Sequence, residues 1–158
     1  MYDASSVTSA GRAAKRIGVA ALAVKGTANT AVTLTGYGAG VEAFSEDGAD
    51  TPGMSTLLKL LFANGASTVY AVRVGAGGGL EAYQAAFAAL ANCDVQVVVC
   101  DSSELTIQKA LKTAVETASA ARGERIGVIG GSGDTAAQLV TRAEAINSER
   151  MVLVGPDM

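Results

Sequence analysis

The stretch best suited to chemistry is IGVIGGSGD, residues 126–134. A glycine-rich turn that leaves a strand and enters a helix is where phosphates sit in doubly wound folds. Gly130, Gly131 and Gly133 would let backbone amides approach an anion. Two features oppose that reading: the turn follows a late strand, and Asp134 puts a negative charge where the phosphate would lie. The same residues also read as a sharp strand-to-helix corner capped by Asp134. The glycines of residues 75–79, GAGGG, lack the Lys-Ser/Thr and the spacing of a P-loop and read as a hinge.

Other groups offer less. Glu46, Asp47 and Asp50 share one loop, SEDGADTPG, that could weakly hold a hard cation, though a solvated acidic loop is the simpler reading. The chain has no histidine, which removes Ser-His-Asp and Cys-His nucleophiles and His-bearing zinc sites. Ser102 and Ser103 beside Asp101 read as a helix cap. Cys93 and Cys100 flank one strand, too far apart along it to bridge, and read as reduced core thiols. The expectation is no catalytic residue, no cofactor-binding residue and no metal ligand.

The elements that hold these residues are α/β. Residues 54–74, MSTLLKLLFANGASTVYAVRV, organise the rest. Leu57, Leu58, Leu61 and Phe62 recur at helical spacing, Asn64-Gly65 stops the helix, and 68–74 is a β-branched interior strand. Before it come a buried strand at 17–24, a short strand at 31–35 and a short helix at 37–44 with Val41 and Phe44 inward. After it come a helix marked by Leu80, Tyr83, Phe87 and Leu90, and a central strand at 94–100. A long helix at about 104–122 follows, with Ile107, Leu111, Val115 and Ala118 inward and Lys112 able to pair with Glu116. The chain closes with a strand at 125–129, a helix at 134–147 with Leu139, Ala143 and Ile146 inward, and a strand at 150–154 stopped by Pro156. This alternation predicts a mainly parallel sheet with helices on both faces, a three-layer α/β/α arrangement joined by right-handed crossovers.

Composition narrows the partners. The net charge is −3 and shows no basic face, which argues against nucleic acid. No apolar run approaches the ~18 residues that span a bilayer, so no membrane insertion by this chain is expected. Charged residues make up 17%, below the roughly 25% usual for soluble domains, which fits either a surface partly covered by a partner or further polypeptide, or simply a compact Ala- and Gly-rich fold.

Three segments together resemble the tail sheath proteins of contractile phage tails and related injection machines. Residues 16–35, RIGVAALAVKGTANTAVTLT, are similar to the family's opening strand, loop and second strand, which lead into a short helix ending at Phe44. Phe62, Asn64, Gly65, Tyr70, Val72, Arg73 and Val74 match its helix-stop-strand pattern, with Ala66 where a second glycine is frequent. The α/β units over 94–156 resemble its central domain, which has a subtilisin-like chain path without a catalytic triad. No Pro-Gly-Val-Tyr arm precedes the first strand. The resemblance implies an extended arm remnant at 1–16 and a single α/β domain at 17–158, a fragment of a longer chain. It implies a non-enzymatic, cofactor-free virion protein, assembled in the bacterial host cytoplasm. Its partners would be neighbouring sheath subunits in hexameric rings, the tail tube protein and the baseplate. The alternative left open by the residues is a small nucleotide- or phosphate-binding domain using the Gly130–Asp134 turn.

Overall fold

The structure, a computed structural model, describes residues 16–155. The expected arm therefore lies outside the described residues except for Arg16, and so does Pro156. In chain order the elements are β1 (Arg16–Ala21), β2 (Ala31–Leu34), α1 (Tyr37–Phe44), α2 (Met54–Ala63), β3 (Thr68–Arg73) and α3 (Leu80–Ala91), followed by β4 (Val97–Cys100), α4 (Leu105–Ala120), β5 (Ile126–Gly130), α5 (Ala136–Ile146) and β6 (Met151–Val154). The strands form one sheet in the order β2-β3-β1-β4-β5-β6. Every neighbouring pair is parallel except β2 with β3, which is antiparallel.

The direction of the crossovers decides which face each helix covers. From β1 the chain moves one way to reach β3, then back past β1 to β4, β5 and β6 in turn. Right-handed connections running in opposite directions must lie on opposite faces. Accordingly α1 and α2 close a core of Val19, Ala21, Leu34, Phe44, Met54, Leu58, Val69 and Ala71. The helices α3, α4 and α5 close the other with Tyr83, Phe87, Leu90, Leu111, Val115 and Ile146 over Val72, Val98 and Ile129. The arrangement is the expected three-layer α/β fold with a mostly parallel sheet.

Several local expectations need correction. β1 ends at Ala21, not at 24, because Leu22 turns its backbone out of the ladder. Its amide donates to Asp101 and its carbonyl accepts from the Met54 amide. Leu22 and Val24 are consequently 42% and 62% exposed. Lys112 does not pair with Glu116: its ammonium caps the carbonyl end of α5 through Ile146 and Asn147, and Glu116 accepts from Ser148 instead. Ala143 faces solvent. α4 buries Gln108 and Ser119, both absent from the expected inner face. The left-handed residue ending α4 is Arg122, with φ 69°, and the Gly123 amide then reaches back to Ala118.

A buried cation ties the second core together. Arg125 is almost fully covered and, among the described residues, meets no carboxylate. Its guanidinium donates to the carbonyls of Leu90, Cys93 and Gly123. Two of those carbonyls lie at the negative end of α3, where a cation is favoured. The side chain thus fastens the end of α3 to the start of β5.

Candidate functional site

In parallel α/β sheets ligands bind beyond the carboxyl ends of the strands, where successive connections leave for opposite faces. Here that point is the end of β1, flanked by β3 and β4. The chain itself takes up part of this crevice, and a recess of about 190 Å³ remains beside Leu22, lined also by Val24, Asp47, Thr51 and Gly53. Leu22 leans under the glycine loop after β3, where a Cβ on Gly78 would meet its side chain at 3.2 Å. Asp101, just past β4, takes two donors: the Tyr83 hydroxyl at 2.5 Å and the Leu22 amide at 3.0 Å. Burial pushes the Asp101 carboxyl above its usual range, and the bonds from Tyr83 and Leu22 offset this only in part. Burial and the same hydrogen bond push Tyr83 upward as well. Asp101 therefore joins β1, β4 and α3, and it is not the cap of α4. Glu104 caps that helix without a side-chain bond, while the Ser102 hydroxyl accepts from the Glu104 amide.

The glycine turn is closed by its own acidic residue. Gly130 ends β5, and a Cβ on Gly131 would lie 2.7 Å from an Asp134 carboxylate oxygen. Asp134 accepts from Arg142 at 2.8 Å, and that bond, with the Arg142 charge and a bond from the Ser132 amide, holds its carboxyl below the usual range against the opposing effect of burial. An internal carboxylate thus stands where an external anion would have to bind. Arg142 also donates to Gln108 and to the Ser103 carbonyl, and the Gln108 amide donates to the Gly130 carbonyl. The cap of α5 is not Asp134: Thr135 accepts from the Gln138 amide, and the Gln138 side chain accepts from the Thr135 amide. This capping box is legible as Thr-x-x-Gln.

The acidic loop before α2 is likewise committed. Gly53 precedes α2 without a side-chain cap, and Asp47 reaches in from six residues upstream to supply it. One Asp47 oxygen accepts from the Gly53 amide at 2.8 Å, the Thr56 amide at 2.8 Å and the Thr56 hydroxyl at 2.9 Å. The Asp47 amide in turn donates to Ser55. Partial burial works against the charge, but these bonds prevail and hold the carboxyl below its usual range. Among the described residues no group of three or more His, Cys, Asp or Glu side chains is placed to hold a metal ion.

The two cysteines are free. Burial pushes the Cys100 thiol up to about 11 and raises Cys93 as well, so neither is an activated nucleophile. A recess of about 650 Å³ lies between α3 and α4. Alanine, threonine, Phe87 and Gly123 line it with Gln84 and Asn92, and it contains no acid or base. No described helix is long and apolar enough to cross a membrane.

Sequence reasoning missed the Tyr83–Asp101 pair, the reach of Asp47 and the Gln108–Arg142 link. Only the Gln108 position carried a visible signal, a polar residue beside Ile107 on the inner face of α4.

No family model and no curated protein matches this sequence. The fold, in contrast, is found in solved structures of a contractile particle. The helical sheath of the anti-feeding prophage in its contracted state matches with a TM-score of 0.60 at 14% identity, over 89% of this chain and 38% of that one. A chain of the six-fold symmetrised baseplate of the same prophage matches with a TM-score of 0.61 at 13% identity, over 89% and 39%. This chain thus spans well under half the length of the chains it matches.

Proposed function

We propose that this chain is a wall domain of a contractile-tail or injection-machine sheath, a structural part that polymerises around a tube and turns over no substrate. The observation that carries the reading is the likeness of fold, over 89% of this chain at a TM-score of 0.60, to a contracted prophage sheath. The internal partners of Asp101 at the carboxyl edge and of Asp134 in the glycine turn fit a role without a small-molecule ligand. Work in such a device comes from packing differences between two lattice states, an extended one and a contracted one. The partners in this reading are neighbouring sheath subunits, the tube protein and the baseplate, and the setting is the virion.

The test is negative-stain electron microscopy of the full-length gene product expressed alone. Rings or hollow tubes are the expected result. Uniform small particles at every salt and protein concentration would overturn the reading.

A further inference from the structure

The corner between α2 and β3 carries a reactive sequence that the fold holds shut. The chain has four asparagines, and only Asn64 is followed by glycine; Asn29, Asn92 and Asn147 precede threonine, cysteine and serine. The side-chain carbonyl carbon of an asparagine is open to attack by the backbone nitrogen of the next residue, and glycine puts no Cβ in the way. Asn64 and Gly65 are both exposed, and a Cβ on Gly65 would meet nothing within 4 Å. No neighbouring segment shields the pair. The resting geometry nevertheless opposes the attack. Asn64 ends α2 with ψ 16° and Gly65 follows with φ 90°. The Ala66 amide donates to the Leu61 carbonyl at 3.0 Å and the Gly65 amide to the Phe62 carbonyl at 3.2 Å, which together make a Schellman stop. The attacking nitrogen is thus engaged with the helix. The Asn64 Nδ2 donates to the Leu60 carbonyl at 2.8 Å, a latch that folds the side chain back along α2 and away from the Gly65 nitrogen.

We infer that Asn64 is a site of spontaneous deamidation whose rate is set by opening of this turn, and that the product cannot re-form the latch. In the reaction the Gly65 nitrogen bonds to the Asn64 Cγ, the Cγ–Nδ2 bond breaks, and ammonia leaves with the proton that Gly65 gives up. Water then opens the cyclic imide at either carbonyl, leaving aspartate or isoaspartate at position 64. The sequence of steps consumes only water and involves no oxidation or reduction. Both products have lost the Nδ2 donor to Leu60. Both place a carboxylate at the negative end of the helix dipole, and α2 has no basic residue in its last turn to offset it. Isoaspartate also lengthens the main chain by one methylene between Leu61 and Ala66, so the Schellman bonds no longer close in register. On either side of the corner, α2 places Met54 and Leu58, and β3 places Val69 and Ala71, in one core. The reaction therefore loosens the joint between two elements of that core, and it converts a reversible opening into a permanent one.

The test is peptide-resolved mass spectrometry of the wild-type chain aged in mildly alkaline buffer, folded and in concentrated urea. Deamidation adds one mass unit, and isoaspartyl and aspartyl peptides separate by chromatography. Asn64 should convert before Asn29, Asn92 and Asn147 in both states, and at least roughly tenfold more slowly in the folded chain. Urea below the unfolding transition should speed the conversion in step with hydrogen exchange at Gly65 and Ala66. The converted fraction, isolated by ion exchange, should melt ~2–4 °C below the unconverted protein. Equal rates with and without urea would overturn the gating by the turn. Earlier conversion of Asn29, Asn92 or Asn147 in the folded chain would overturn the assignment of the site, as would an Asn64 that stays intact while exchange shows the turn opening. A converted fraction that melts with the unconverted protein would overturn the role of the Leu60 latch. None of these outcomes depends on whether the protein forms tubes.

Discussion

Replacing Asp47 with alanine should destabilise the chain by about 2 kcal/mol. The figure follows from what one oxygen holds: the amides of Gly53 and Thr56 and the Thr56 hydroxyl, all within 2.9 Å. Removing a side-chain cap from a helix costs about 1–2 kcal/mol, and losing a negative charge beside the first turn adds roughly 0.5 kcal/mol. Gly53 has no side chain with which to substitute. For a domain of this size that loss lowers the melting temperature by roughly 4–8 °C. Asp47→Asn keeps an acceptor without the charge and should lose about half as much. The two variants and wild type would be compared by urea unfolding at pH 7 and at a series of lower pH values. Because the folded Asp47 carboxyl lies below its ordinary value of 3.8, its contribution is complete above that pH and is lost as pH falls through the folded value. The gap between wild type and Asp47→Asn should therefore close below about pH 3.8. A loss under ~0.5 kcal/mol for the alanine variant, or a gap that ignores pH, would refute the assignment of Asp47 as the cap of α2.

Asp101 should behave in the opposite sense. Its folded carboxyl lies above 3.8, so its contribution is greatest below that pH and declines as pH rises through the raised value. Asp101→Asn at pH 7 should then change stability by less than ~1 kcal/mol, with a flatter pH profile in urea unfolding; a loss above ~2 kcal/mol would contradict this. Two glycine substitutions should differ sharply in thermal melts. A Cβ at Gly53 meets the Leu22 backbone carbonyl at 2.6 Å, whereas one at Gly127 meets the Met151 sulfur at 2.5 Å. Gly53→Ala should lose more than ~3 kcal/mol and Gly127→Ala less than ~1.5 kcal/mol, because backbone cannot yield and a thioether can. Finally, ATP or inorganic phosphate at millimolar concentration should leave the melting temperature of the wild-type chain unchanged. Asp134→Asn, which removes the internal charge from the turn, is the variant in which a rise could first be seen.

The element order was legible in the sequence because the strands are short, mostly apolar runs rich in valine and isoleucine and the helices carry apolar stripes. β3 reads directly from TVYAVR and α2 from its leucines. The ends of elements were less so. β1 runs visibly into LAV, and only the donor-acceptor demands of Asp101 and Met54 on the Leu22 backbone cut it short at Ala21. The same limit applies to the site. The sequence shows that Asp47 and Asp134 are acidic residues near glycines; it does not show that each one folds back onto its own loop. Those bonds depend on turn geometry, and a carboxylate caps its own helix at one loop shape and binds an external cation at another. Lys112 illustrates the point, since its helical neighbour Glu116 was available and the carbonyls at the end of α5 were taken instead.

The strand order has a consequence for how the protein is made. β1 is synthesised before the other described strands and belongs at the centre of the sheet, with Arg16 beside Thr68 and Ile17 beside Val97. Its neighbour β3 follows some fifty residues later and β4 some eighty. At translation rates of ~5–20 residues per second those intervals are roughly 3–10 s and 4–16 s. β1 gains its second edge only with β4, and until β3 is made it has no ladder to join at all. A nascent chain stalled before that point would display Ile17–Ala21 to chaperones or to other nascent copies on the same message.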